Sequence, residues 1–144
     1  MEFVKMKKYL KKIKTLLNQL FIIILNRIFI IFLPLKNNRI LFLSDNRKEL
    51  GGNLKCMYDY LESNKYEKVI SLKEDRRAKR NLIEKIKLVK YLSTSKYILL
   101  EDLVQSTSFL KIRKGQELVQ LWHGPGAFKK FGHSREKTDL RRIH

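Results

Sequence analysis

Two hydrophobic rhythms divide this chain. In the first 38 residues, Phe3, Met6, Leu10, Ile13, Leu17, Leu20, Ile24, Ile28 and Ile31 recur three or four positions apart. That spacing places them on one face of a single α-helix. Residues 20–25 are apolar on every side, and Pro34 closes the run where a helix does not comfortably continue. Beyond Lys36-Asn37-Asn38 the rhythm changes to short apolar runs separated by helical stripes. Strands are predicted at Arg39–Ser44, Val69–Leu72, Lys96–Leu100 and Glu117–Trp122. Helices are predicted at Asn53–Glu62, with Leu54, Met57, Tyr58 and Leu61 inward, and at Ala78–Leu92, with Leu82, Ile83, Ile86 and Val89 inward. The connection from Asp102 to Gly115 has room for a short helix. Strands alternating with helices of this length predict parallel βαβ units, an α/β fold.

The first segment admits three readings. It has the basic start and apolar run of a signal peptide, but Phe32-Leu33-Pro34-Leu35-Lys36 offers no small-residue cleavage site. It has the length of a transmembrane helix. Asn18, Gln19, Asn26 and Arg27 interrupt it, however, and an Arg near the bilayer centre costs roughly 2.5–3.5 kcal/mol. An amphipathic helix lying in the membrane surface is favoured over a spanning one. Lys5, Lys7, Lys8, Lys11, Lys12 and Lys14 lie mostly off the apolar stripe, where anionic head groups would meet them. The non-membrane alternative is a helix packed on the domain or on a partner. The chain therefore divides into a basic, apolar membrane-associated helix at 1–38 and an incomplete Rossmann-like domain at 39–144.

Charge sharpens the question of partners. Lys and Arg number 32 against 14 Asp and Glu, a net charge of +18 over 144 residues. Such a field attracts anionic lipid, nucleic acid or phosphorylated substrates. Nucleic acid is disfavoured, because no homeodomain, RRM or zinc-finger pattern is present and aromatic residues do not interleave with the basic runs. The Arg76–Arg80 run reads as a solvated helix start. Cys56 stands alone among Leu54, Met57 and Tyr60 and reads as a buried structural thiol. His123, His133 and His144 lack neighbours at metal-ligand spacing, so no metal site is predicted.

Ligands of open parallel sheets bind at the carboxyl ends of the strands. Two loops qualify. The first runs from Ser44-Asp45-Asn46-Arg47 to Gly51-Gly52-Asn53, where two glycines allow close backbone approach before a helix N-terminus. The second is Leu121-Trp122-His123-Gly124-Pro125-Gly126, followed by Lys129, Lys130 and Arg135. A histidine leaving a strand into a glycine-flanked loop suits a general base, and the cations suit phosphate. A histidine closing a strand end beside a solvated basic helix fits the same residues. Glu101 and Asp102 point to opposite faces as strand neighbours, which makes them a poor acid–base pair.

The string Gln120-Leu121-Trp122-His123-Gly124-Pro125-Gly126-Ala127-Phe128-Lys129-Lys130-Phe131-Gly132, with Ser134-Arg135 behind it, resembles the Trp-His-Gly region of the CDP-glycerol glycerophosphotransferases. These enzymes build teichoic acids and related polymers of bacterial envelopes. Ile40–Asn53, continuing to Leu61, and Lys96–Asp102 resemble earlier blocks of the same domain, so the likeness covers about residues 39–135 in order. The resemblance implies the N-terminal, acceptor-side Rossmann-like domain of a GT-B-type glycosyltransferase. It implies His123 as general base toward an acceptor hydroxyl, whose oxygen attacks the β-phosphate of CDP-glycerol and expels CMP. Gly51, Gly52, Asn53, Gly124, Gly126, Lys129, Lys130 and Arg135 are the expected substrate-binding residues.

No cofactor or metal is implied beyond the CDP-glycerol substrate. The expected partners are an anionic membrane surface, a lipid-linked polyol-phosphate acceptor and a C-terminal donor-binding half, with the protein peripheral on the cytoplasmic face of the bacterial membrane. Lacking that half, the chain is expected to be inactive alone. The competing class is a non-catalytic basic membrane-surface protein.

Overall fold

The computed structural model describes residues 2–74, 78–102 and 104–121. It contains a four-stranded, wholly parallel sheet: β1 (Lys36–Ser44), β2 (Glu67–Leu72), β3 (Ser95–Leu100) and β4 (Glu117–Gln120), in the order β2-β1-β3-β4. Three α-helices accompany it: α1 (Glu2–Phe32), α2 (Gly52–Tyr60) and α3 (Leu82–Thr94). A short 3₁₀ turn, Gln105–Ser108, occupies the connection before β4.

The central strand β1 shows why the sheet is buried on both sides. Its four-residue apolar run alternates between faces. Leu41 and Leu43 meet Leu88 and Leu92 of α3, together with Ile98, Leu100 and Val104. Ile40 and Phe42 meet Leu54 of α2, with Met57, Tyr58 and Leu61 packed around them. Two helices thus cover opposite faces, as a doubly wound sheet requires when its crossovers keep one hand. The strand order reverses at β1, which puts a topological switch point between the carboxyl ends of β1 and β3.

Two inward assignments change. The buried apolar positions of α3 are Leu88, Val89 and Leu92, whereas Leu82 and Ile83 stay exposed. The helix starts at Leu82 rather than Ala78, fixed by a capping box between Asn81 and Glu84, and its first turn contributes nothing to the core. Cys56 is exposed, not buried. In α2 the inward side belongs to Leu54, Met57, Tyr58 and Leu61, and Cys56 sits two residues from Leu54, on the far side of the turn.

The first helix combines two of its sequence readings, docking on the domain while keeping an apolar face outward. It packs on α3, and it does so through residues that interrupt its apolar run. Asn26 is almost wholly buried; its Nδ2 donates to Ser93 Oγ at 2.9 Å and its Oδ1 accepts from the Lys111 backbone N–H at 3.3 Å. Lys85 donates to Asn18 Oδ1 at 2.6 Å, and Ile22 is buried between these two contacts. The predicted stripe from Phe3 to Ile31 faces the other way, every member at least 42% exposed. The segment Met6–Phe32 contains an 18-residue window with a mean hydropathy of 1.9, 11% of it buried, long and apolar enough for a membrane yet docked along one side. Arg113 locks its end: one guanidinium nitrogen donates to the carbonyls of Leu33 and Ser93, at 2.6 and 3.4 Å, where α1 and α3 finish.

Candidate functional site

The switch point is closed by two side-chain pairs that cross it. Arg47, just past β1, donates through Nε to Glu101 Oε2, just past β3. Asn46 donates through Nδ2 to Asp102 Oδ2. Glu101 and Asp102 therefore serve different partners, in keeping with their opposite directions along the chain. Glu101 is 1% exposed and its Oε1 has no hydrogen-bond partner. The bond to Glu101 raises the Arg47 guanidinium above its ordinary pKa against the opposing effect of desolvation.

The Gly51-Gly52-Asn53 loop lies against this pair. A Cβ on Gly52 would stand 2.5 Å from Glu101 Oε1 and 2.9 Å from Arg47 Nη2, and one on Gly51 would stand 2.8 Å from Arg47 Nη1. Gly52 also has a φ of +56°, which side chains rarely accept. The room that the glycines leave is taken by Arg47 and Glu101 of the chain itself. Asn53 points onward, donating from Nδ2 to the Leu121 carbonyl at 3.3 Å. Leu121 in turn donates its N–H to the Leu100 carbonyl at 2.7 Å, so β4 ends beside the switch point. The two loops singled out separately in the sequence thus converge. His123, Gly124, Gly126, Lys129, Lys130 and Arg135 lie outside the described residues.

The basic run before α3 is not simply solvated. Arg80 is largely buried, donating to Asp45 Oδ1 at 2.9 Å and to Ser71 Oγ at 3.3 Å, and Lys73 stands 3.6 Å from Asp45 Oδ2. Asp45 thereby ties the carboxyl end of β1 to that of β2 and to the entry of α3. Arg47, Glu101, Asp45 and Arg80 escaped the sequence reading as partners, because the two pairs join residues 54 and 35 positions apart. The position of Asp45, Arg47 and Glu101 just after strands was the available signal. Among the described residues no cluster of three or more His, Cys, Asp or Glu side chains suits a metal ion.

A family model described as CDP-glycerol:poly(glycerophosphate) glycerophosphotransferase matches residues 25–143. The chain belongs to that family. Its relatives include the teichoic acid poly(ribitol-phosphate) polymerase of Bacillus spizizenii, 40% identical over 105 residues, or 72% of this chain and 17% of that protein. A teichoic acid ribitol-phosphate polymerase of Staphylococcus aureus is 35% identical over 69% of this chain and 18% of its own length. The teichoic acid glycerol-phosphate primase of Bacillus subtilis is 37% identical over 44% of this chain and 18% of its own length. The chain thus spans less than a fifth of each of these relatives. Family membership places the α1 end, from residue 25, in the same matched unit as the sheet, and its homologues act in teichoic acid synthesis.

Proposed function

We propose that this chain forms the membrane-associated, acceptor-side part of a polyol-phosphate transferase in teichoic acid or capsule-like polymer synthesis. In this reading residues 39–144 are the first Rossmann-like domain of a GT-B-type arrangement, and a donor-binding domain completes the site. His123 takes the proton of the acceptor hydroxyl. The freed oxygen bonds to the β-phosphorus of CDP-glycerol, the bond to the bridging oxygen breaks, and CMP leaves with its electron pair. The supporting observation is the contact between Asn53 and Leu121, which brings the glycine loop to the strand end two residues before His123. Gly124, Gly126, Lys129, Lys130 and Arg135 then hold substrate phosphates. The ribitol-phosphate polymerases among the relatives favour a second reading, in which ribitol phosphate is the transferred unit.

The exposed stripe of α1 supports membrane attachment in the surface plane. Docking of Asn18, Ile22 and Asn26 on α3 leaves Leu17, Leu20, Ile24, Ile28 and Ile31 as one apolar face, and spanning the bilayer would strip Asn26 of its partners. The chain sits on the cytoplasmic face, where activated nucleotide donors are made.

The test is a chimera in which residues 25–143 replace the matching segment of the Bacillus spizizenii polymerase. It should release CMP in the presence of a membrane-linked acceptor, and a comparison of CDP-glycerol with CDP-ribitol assigns the donor. His123→Ala should lower the rate by ~10²–10⁴-fold, the usual worth of a general base. An unchanged rate removes His123 from that role. The 144-residue chain alone should release no CMP; turnover by it would defeat the two-domain reading.

A further inference from the structure

We infer that α1 and the carboxyl edge of the sheet together form a binding track for a polyol-phosphate polymer, running from Lys8, Lys11 and Lys12 through Thr15 to Lys73, Arg80 and Lys85. The inference rests on the proposed function for the identity of the polyanion and for the seating of the α1 stripe in lipid.

The register of α1 on α3 supplies the direction. Asn18 pairs with Lys85 and Asn26 with Ser93, both 67 positions apart, so the two helices run parallel and in step. Since α3 begins at Leu82, the part of α1 before about residue 15 extends past the start of α3. That start follows β2, which makes it the carboxyl edge of the sheet, the edge where Arg47 and Glu101 meet. The overhang is about 20 Å long at 1.5 Å per residue.

Helical spacing supplies the side. Lys8, Lys11, Thr15, Asn18, Ile22 and Asn26 fall on one line along α1. Lys8 and Lys11 therefore share the face that docks on the domain, opposite the apolar stripe. With that stripe seated in lipid, these lysines look away from the head groups and along the ligand edge of the sheet.

A cleft continues the line. It has a volume of about 190 Å³ and lies between α1, α3 and the carboxyl-end loops, with Asp45, Lys73, Arg80 and Lys85 as its charged residues. Asp45 engages Lys73 and Arg80 while Lys85 donates to Asn18, so the cleft lining holds three cations against one carboxylate. Thr15 borders this cleft and also the groove formed by Lys8, Lys11 and Lys12. Cations spread over such a length match a repeating phosphate chain better than a single phosphate, which one converged site would hold. The lining of the α1 groove, Lys8, Lys11, Lys12, Thr15 and Leu16, includes no aromatic ring on which a nucleobase would stack.

Fluorescence anisotropy of a labelled poly(glycerol phosphate) oligomer with the 144-residue chain tests the track. Lys8→Gln/Lys11→Gln/Lys12→Gln removes three exposed lysines. It should weaken binding at least about tenfold, roughly 1.4 kcal/mol. The control Lys48→Gln/Lys55→Gln/Lys65→Gln removes equal charge from exposed positions elsewhere and should weaken it less than about threefold, since screening limits distant surface charge. Equal loss in both variants, or none in the first, overturns the proposal. So does loss of flotation on phosphatidylglycerol vesicles by the first variant with oligomer binding intact, which would give the lysines to lipid head groups. A single-stranded DNA oligomer of matched charge that binds more tightly than the polyol polymer overturns it as well. No arm uses turnover, so failure of the His123 chemistry is read separately.

Discussion

The Asn53 side chain reaches from the first turn of α2 to the backbone carbonyl of Leu121, 68 residues later, at 3.3 Å. This bond couples the glycine loop after β1 to the strand end that leads into the Trp-His-Gly string. In the chimera, Asn53→Ala should lower CMP release about tenfold, equivalent to about 1.4 kcal/mol. The bond is exposed, so stability should fall by no more than ~1 kcal/mol in urea denaturation. A stability loss large enough to account for the rate would make Asn53 a structural residue only.

Glu101 offers a sharper case. Its carboxylate is buried and depends on Arg47 for its one charge partner among the described residues. Arg47→Ala should cost ~1–3 kcal/mol, because it leaves a buried acceptor unmatched. Pairing it with Glu101→Gln should return part of that loss, since the neutral amide tolerates burial better. Urea midpoints of both single variants and the double variant measure the coupling.

The two glycines should separate cleanly. Gly52→Ala meets Glu101 Oε1 and Arg47 Nη2 while holding a φ of +56°, so it should cost ~1–3 kcal/mol. Gly51→Ala meets the movable end of Arg47 and has extended backbone, so its cost should stay below ~1 kcal/mol. Thermal melts of the two variants give the comparison.

Docking of α1 depends on Asn26. Asn26→Ala removes the partner of Ser93 and of the Lys111 N–H, and should cost ~1–3 kcal/mol while speeding amide exchange in the second half of α1. Leu17→Asp/Ile24→Asp lies on the opposite face. It should leave stability nearly unchanged and abolish flotation on phosphatidylglycerol vesicles; retained flotation would remove the stripe from the membrane.

Glu67 sets an acid limit. Its carboxylate accepts from Arg39 at 2.8 Å and from Lys36 at 3.2 Å, and the Arg39 bond, ahead of opposing desolvation, holds its pKa below the ordinary value. A depressed folded pKa means that the stabilisation is complete above the unfolded value, roughly 4.3, and is lost as pH falls through the folded one. Glu67→Gln should therefore lose stability at neutral pH and flatten the acid side of a melting-temperature profile. The carboxylate is 40% exposed, so the effect should be small and should shrink with salt.

Much of this architecture was legible in the chain. The alternation of Ile40–Leu43 required a strand buried on both faces, and the four strands and the two helices between them sit where their patterns put them, within a few residues. The Trp-His-Gly string pointed to the family without any structure. Periodicity and local spacing carry such information, because they depend on neighbours within a turn or a strand. What stayed hidden depends on contacts between distant residues. Asn18 and Asn26 read as flaws in an apolar run, and only the register on α3 turned them into its docking face. Arg80 read as solvent-facing until Asp45 came within reach, and Glu101 became a buried partner of Arg47 only when β1 and β3 paired.

The helix that opens the chain shows the division most plainly. The sequence by itself determined that it is amphipathic, basic at its start and apolar along one stripe, since residue spacing fixes which side chains share a face. Only the tertiary structure decided which face meets the protein. A buried asparagine with two partners satisfies hydrogen bonds that no apolar contact replaces, and the pairing to Ser93 and Lys111 therefore leaves the apolar stripe facing outward.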